Sequence, residues 1–162
     1  MTAGDRPDFA QLIPPEYRGH LGFVLTKAHR ALVAELDGVI DDGLNVRHFA
    51  LVAVLHHRGG LRQTDIGAML DADRTTTMKA VDDLEERGML RRTPHASDRR
   101  ANAVELTDAG RAWRERMLPR LGEQENAFLE PLSAGERTLL HELLLKLVAA
   151  AYDRKSPNCH ET

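Results

Sequence analysis

Cysteine is nearly absent from this chain: Cys159 is the only one. An intrachain disulfide framework is therefore excluded, and the composition fits a reducing cytoplasm. Aromatic residues make up only 4%, so a core must be filled mainly with Leu, Val and Ala, as in helix-rich folds. No apolar run is long enough to span a bilayer, and no signal peptide is visible. Internal repeats and low-complexity blocks are missing too. Charge of one sign is also lacking: 22 Lys and Arg face 25 Asp and Glu, a net charge of −3. Contact with a polyanion must then come from a local patch rather than the whole surface. No nucleophile–base pair, phosphate loop or ligand cluster with catalytic spacing appears. The sequence reads as a non-enzyme without a cofactor.

What is present centres on residues 61–110. Asp73 is a good N-cap, because its carboxylate can accept from backbone N–H groups that the first turn leaves unpaired. After it, Thr77, Ala80, Val81, Leu84 and Gly88 recur at helical spacing and predict a buried face. The other face offers Arg74, Thr75, Thr76, Met78 and Lys79 at the N-terminal end, where the helix carries partial positive charge and free N–H groups. Hydroxyls, an ammonium and a guanidinium there suit base edges and backbone phosphates. A shorter helix, Thr64 to Leu70, precedes it across the turn Asp71-Ala72-Asp73, with Gly67 as the small residue that lets the pair approach. Arg87-Gly88 predicts the C-terminal stop. Two extended runs follow, Met89 to Pro94 and Ala101 to Leu106, the second with half-buried alternation. Between Arg87 and Arg100 five arginines (Arg87, Arg91, Arg92, Arg99, Arg100) stand against one acid, Asp98. A helix-turn-helix with a trailing basic hairpin is a winged helix.

The flanks read as scaffold. Residues 1–14 form an N-terminal arm, in which Phe9, Leu12 and Ile13 are available for docking. Pro14-Pro15 sets a helix start. Leu21, Val24, Leu25, Ala28, Leu32, Leu36 and Ile40 make an apolar stripe that Gly43 ends. Asn45 is expected to cap a second helix holding Phe49, Val52 and Leu55, which stops at Gly59-Gly60. Thr107 caps a long helix through Trp113, Met117, Leu121 and Phe128, which Pro119 should kink or break. Ser133 to Glu136 has capping-box spacing. The helix it opens carries Leu139, Leu140, Leu143, Leu144, Leu145, Leu147 and Val148, more apolar surface than one domain's core can cover. With the first helix it is a candidate dimer interface. The expected organisation is a single domain over 15–152, with dimerisation helices at 15–43 and 107–152 and a polar tail at 153–162. The fold class is mainly α with a small β-wing.

The run Asp98-Arg99-Arg100-Ala101-Asn102-Ala103-Val104-Glu105-Leu106-Thr107-Asp108-Ala109-Gly110 resembles the wing-to-helix signature of the MarR family of transcriptional regulators, D-R-R-x-x-x-V-x-L-T-x-x-G. Leu84-Glu85-Glu86-Arg87-Gly88-Met89 is similar to the L-E-x-R-G-L ending of that family's recognition helix. The likeness extends over roughly residues 20 to 150. Where the family places Thr or Ser before Gln63, this chain has Arg62, and Thr64 is expected to take over the capping. The resemblance implies a homodimer that binds a pseudo-palindromic operator, with half-sites about one helical turn (roughly 10 bp) apart. It places Thr75, Thr76 and Lys79 in the major groove and Arg74 on base or backbone. It also places Arg100 in the minor groove at the wing tip, held by Asp98, with Arg99 near phosphate. It further implies a repressor released by a small aromatic or phenolic anion, bound between the dimerisation helices and the DNA-reading lobe. By position His29, His48 and Phe49 are the candidate ligand residues.

Two other readings stand beside this one. A winged helix can serve as a protein-interaction module without DNA binding. His48, His56 and His57 on one helix, with His29 on the helix before, invite a metal-responsive regulator, since some relatives in the family sense zinc. A structural zinc site wants four N or S ligands, however, and adjacent His56 and His57 point to different faces of a helix. No metal site is expected. Cys159 beside His160 falls in the polar tail, and a thiol switch is not expected there.

Overall fold

The computed structural model describes residues 13–94 and 102–155. The described part of the N-terminal arm is anchored: Ile13 is buried, and its carbonyl accepts from Arg18 Nε at 3.2 Å. Pro15–Tyr17 forms a short 3-10 turn instead of opening the first α-helix. That helix, α1, spans Leu21–Asp37. It therefore starts later than Pro14-Pro15 predicts and ends before Ile40, the last residue of its apolar stripe. It stops at Asp37 because the carboxylate turns to the next element, accepting the Val46 N–H at 2.7 Å. Ile40 and Leu44 lie buried in the connection, where Asp42 and Gly43 take left-handed φ values of 66° and 69°. Nothing on α1 is buried within the chain, and Leu21 is 61% exposed.

Helix α2, Val46–His57, is capped by Asn45 as expected. Leu61 and Arg62 form β1, a strand too short to show any periodicity. Helix α3 follows at Gln63–Met69 with Arg62 as N-cap and no side-chain cap bond, so Thr64 does not take over the capping. The Arg62 guanidinium instead grips Asp65 in the first turn, Nε to Oδ2 2.9 Å. Asp71, at φ 48°, turns the chain into α4, Arg74–Glu86. Gly88 lies beyond α4 at φ 68°, exposed, so it ends the helix and is not part of the buried face. Strands β2 (Leu90–Pro94) and β3 (Asn102–Leu106) pair antiparallel, from Leu90 opposite Leu106 to Pro94 opposite Asn102. β1 joins the other edge of β3, giving the order β1-β3-β2. As the middle strand, β3 does not alternate cleanly: Ala103 and Val104 are both buried.

Helix α5, Asp108–Phe128, runs through Pro119 without a break. Proline in a helix interior costs roughly 3 kcal/mol. Burial of Trp113 and Met117 before it and Leu121 after it offsets that cost. The core gathers Leu51, Val52 and Leu55 of α2, Ile66 of α3, Val81 and Leu84 of α4, Val104 and Leu106 of the sheet, and Trp113 and Met117 of α5. Each such aliphatic side chain contributes about 1.5–3 kcal/mol by leaving water.

The chain divides into two compact units, one ending at Gln124 and one beginning at Glu125. The second consists of the end of α5 and helix α6, Ala134–Lys155. Its capping box is formed: Ser133 N–H donates to Glu136 Oε2 at 2.8 Å, and Glu136 N–H donates to Ser133 Oγ at 3.4 Å. α6 continues into the expected polar tail as far as Lys155, and Cys159 and His160 lie outside the described residues. Among the described residues no helix is long and apolar enough to cross a membrane.

Candidate nucleic-acid interface

Asp73 builds the N-terminal end of α4. Its Oδ1 accepts the Thr76 N–H at 2.8 Å, its Oδ2 accepts the Thr76 hydroxyl at 2.7 Å, and its carbonyl accepts the Thr77 hydroxyl at 2.9 Å. The bonds from the Thr76 backbone and hydroxyl hold its carboxyl below the usual range, so it stays ionised at the positive helix end. Thr77, Ala80, Val81 and Leu84 are buried on the inner face. Gly67 of α3 packs there so closely that a Cβ would lie 3.0 Å from Thr77 Oγ1 and 3.2 Å from the Ala72 carbonyl. Backbone proximity of this kind fixes the angle between the two helices.

The outer face keeps Arg74, Thr75, Met78 and Lys79 exposed. Thr76 is half-buried, and its hydroxyl hydrogen is spent on Asp73, leaving the oxygen lone pairs and the methyl for a partner. Asp98, Arg99 and Arg100 lie outside the described residues.

Three of the five arginines counted as a basic run are paired with other groups of the same chain. Arg87 ties α4 to the α1–α2 connection, donating from Nη1 to the Asp83 carbonyl at 2.7 Å and from Nη2 to the Asp42 carbonyl at 3.0 Å. Arg91 pairs across the strands with Glu105, Nη2 to Oε2 2.8 Å. Arg92 of β2 reaches both Asp82 and Glu85 of α4, and its own N–H donates to Glu85 Oε1 at 3.2 Å. This bridge fastens the base of the wing to the outer helix. The i,i+3 spacing of Asp82 and Glu85 is its only sequence signal; which arginine answers them depends on the strand register.

The ligand candidates His29, His48 and Phe49 do not share a cavity. His29 lines a cleft of about 360 Å³ with Asp37, Arg47 and Leu70. His48 is buried: its Nδ1 accepts the Asn45 N–H at 3.2 Å, completing a capping box. The same Nδ1 lies 2.8 Å from Asn45 Oδ1, and Nε2 lies 3.3 Å from Asp83 Oδ2, a contact that joins α2 to α4. Burial, outweighing the opposing pull of Asp83, holds the His48 imidazole below its usual range, so the ring is neutral at pH 7. Phe49 packs on Trp113, with ring centroids 6.0 Å apart at 55°. Arg114 is half-buried, and its Nε has no hydrogen-bond partner. No three His, Cys, Asp or Glu side chains among the described residues are placed to hold a metal ion.

A family model described as the MarR family matches residues 42–101, which include both helices of the helix-turn-helix and the first wing strand, β2. The chain belongs to the MarR family. The regulator PecS of Dickeya dadantii is 36% identical over 104 residues, 62% of this chain and 63% of that protein. A crystal structure of a probable transcriptional regulator from Pseudomonas aeruginosa superposes with a TM-score of 0.74 at 31% identity, covering 80% of this chain and 97% of that one. The structure of BpsR from Bordetella bronchiseptica, whose DNA binding is regulated by 6-hydroxynicotinic acid, gives a TM-score of 0.71 at 27% identity. It covers 78% of this chain and 97% of BpsR. This MarR-family member is a DNA-binding transcriptional regulator with a winged helix-turn-helix.

Proposed function

We propose that the protein is a sequence-specific repressor that binds a pseudo-palindromic operator as a homodimer and is released by a small aromatic or phenolic anion. The observation that carries the DNA-reading part is the N-terminal end of α4, where Arg74, Thr75 and Lys79 are exposed around a cap fixed by Asp73. Thr75, Thr76 and Lys79 face base edges in the major groove, and Arg74 takes base or phosphate. Arg100, supported by Asp98, enters the minor groove from the wing, with Arg99 on the backbone. The exposed leucines of α6 support the homodimer, since apolar surface of this extent favours a second copy of the chain. The anion acts by binding more tightly to a dimer whose two reading helices no longer match the groove spacing; only such a difference in affinity can move the equilibrium.

A gel-shift experiment with the chain's own upstream DNA tests the reading. A retarded band that weakens with salt and is lost with aromatic acids supports it. Absence of salt-dependent duplex binding, with no effect of Arg100→Ala, favours a winged helix that contacts protein instead.

A further inference from the structure

The outer face of α4 carries one sulfur, that of Met78. Four of the chain's five methionines lie among the described residues. Met117 is fully buried and Met89 nearly so, whereas Met78 is 42% and Met69 39% exposed. Oxidation of a thioether follows its exposure, so an oxidant in solution reaches the two helices of the helix-turn-helix before it reaches the core.

Met78 lies among the groups offered to DNA. Arg74, four residues earlier, and Thr75, three earlier, are its neighbours on the helix surface, and Lys79 follows it. Met78 and Arg74 also line one groove of about 370 Å³ together with Gly67 and Ala68 of α3. Those small residues leave the thioether uncovered. In its reduced form it is an apolar side chain able to lie against a thymine methyl group.

We propose that Met78 is a modification site: hydrogen peroxide converts its thioether to the sulfoxide, and the product weakens DNA binding. The sulfur lone pair forms a bond to one peroxide oxygen as the O–O bond breaks. Sulfur is oxidised by two electrons, and the other oxygen is reduced and leaves with both hydrogens as water. The side chain thereby turns from apolar to polar. Its new oxygen is an acceptor one helical turn from Arg74, where it competes with bases and phosphates for the guanidinium. The effect on DNA binding rests on the repressor reading above; oxidation of the side chain does not.

Full-length protein carrying Cys159→Ser, which removes the competing thiol, is treated with hydrogen peroxide, mapped by mass spectrometry and assayed by gel shift on the upstream DNA. Met78 and Met69 are expected to gain one oxygen well before Met89 and Met117. Affinity for the DNA should fall about tenfold as Met78 is oxidised. It should return after treatment with the two methionine sulfoxide reductases, one for each epimer. Each variant is compared with itself before and after peroxide: Met78→Leu should lose the response, and Met69→Leu should keep it. Met78 reacting no faster than Met117, affinity unchanged with Met78 fully oxidised, or a response that survives Met78→Leu overturns the proposal. No gel shift with untreated protein, while Met78 still oxidises early, sinks the repressor reading alone and leaves the modification site standing.

Discussion

At the scale of single residues, a helix end does two tasks with one carboxylate. Asp73 closes the first turn of α4 and also accepts the Thr76 hydroxyl, so the exposed side chains proposed to read DNA start from a fixed backbone. Thr75→Ala is expected to cost about 1–3 kcal/mol of operator affinity, concentrated at one base position. Loss of a phosphate contact at Arg74 would instead weaken all sequences and reduce the salt slope by about one unit. Gel shifts on single-base operator variants over a salt series separate the two. His48 makes a different prediction. Its proton affinity is lower in the folded chain than in the unfolded one, so the unfolded chain takes up more protons as the pH falls. The stability contributed by neutral His48 is complete above its ordinary value of about 6.5 and is lost as the pH falls through its lower folded value. Urea midpoints should fall between pH 7 and 5, and fall less in His48→Gln.

At the scale of elements, the joint between the wing and α5 has no spare room. A Cβ on Gly110 would lie 2.2 Å from the Met89 carbonyl oxygen, while Thr107 donates its hydroxyl to the Gly88 carbonyl at 2.6 Å and accepts the Gly110 N–H at 3.2 Å. Gly110→Ala should therefore destabilise the fold by about 1–3 kcal/mol, read as a lower urea midpoint. Cutting the bridge from Arg92 to Asp82 and Glu85 should loosen β2 from α4. In Arg92→Ala, backbone amides of β2 are expected to exchange with deuterium faster than those of β3, with the core of α2 unchanged. Local chemistry made many of these elements legible in sequence: Asn45, Asp73, Thr107 and Ser133 each open a helix where a polar cap precedes an apolar stripe. Non-local pairing hid the rest. β1 is two residues held by β3 some forty positions away, the end of α1 is set by Val46, and Pro119 is carried by packing on both sides. The candidate reading face was legible for the same local reason as its helix. The pairing of Arg87, Arg91 and Arg92 was not, because their partners come from other strands, helices and loops.

At the scale of the whole molecule, α6 presents leucines at 139, 140, 143, 145 and 147 that are between 38% and 55% exposed. Under the homodimer proposed above, Leu143→Glu with Leu147→Glu should give a folded protomer of half the mass by sedimentation, with operator affinity greatly reduced because one reading helix makes too few contacts. An unchanged mass would exclude α6 as the dimer interface. The internal pairing of three wing-region arginines has its own consequence at this scale. Cations already matched to carboxylates and carbonyls release few counterions from DNA, so under the proposed function grip on arbitrary sequence is expected to be weak and background occupancy low. A regulator present in few copies then spends little of its time stranded on the wrong stretch of chromosome, and selectivity is won by letting go quickly.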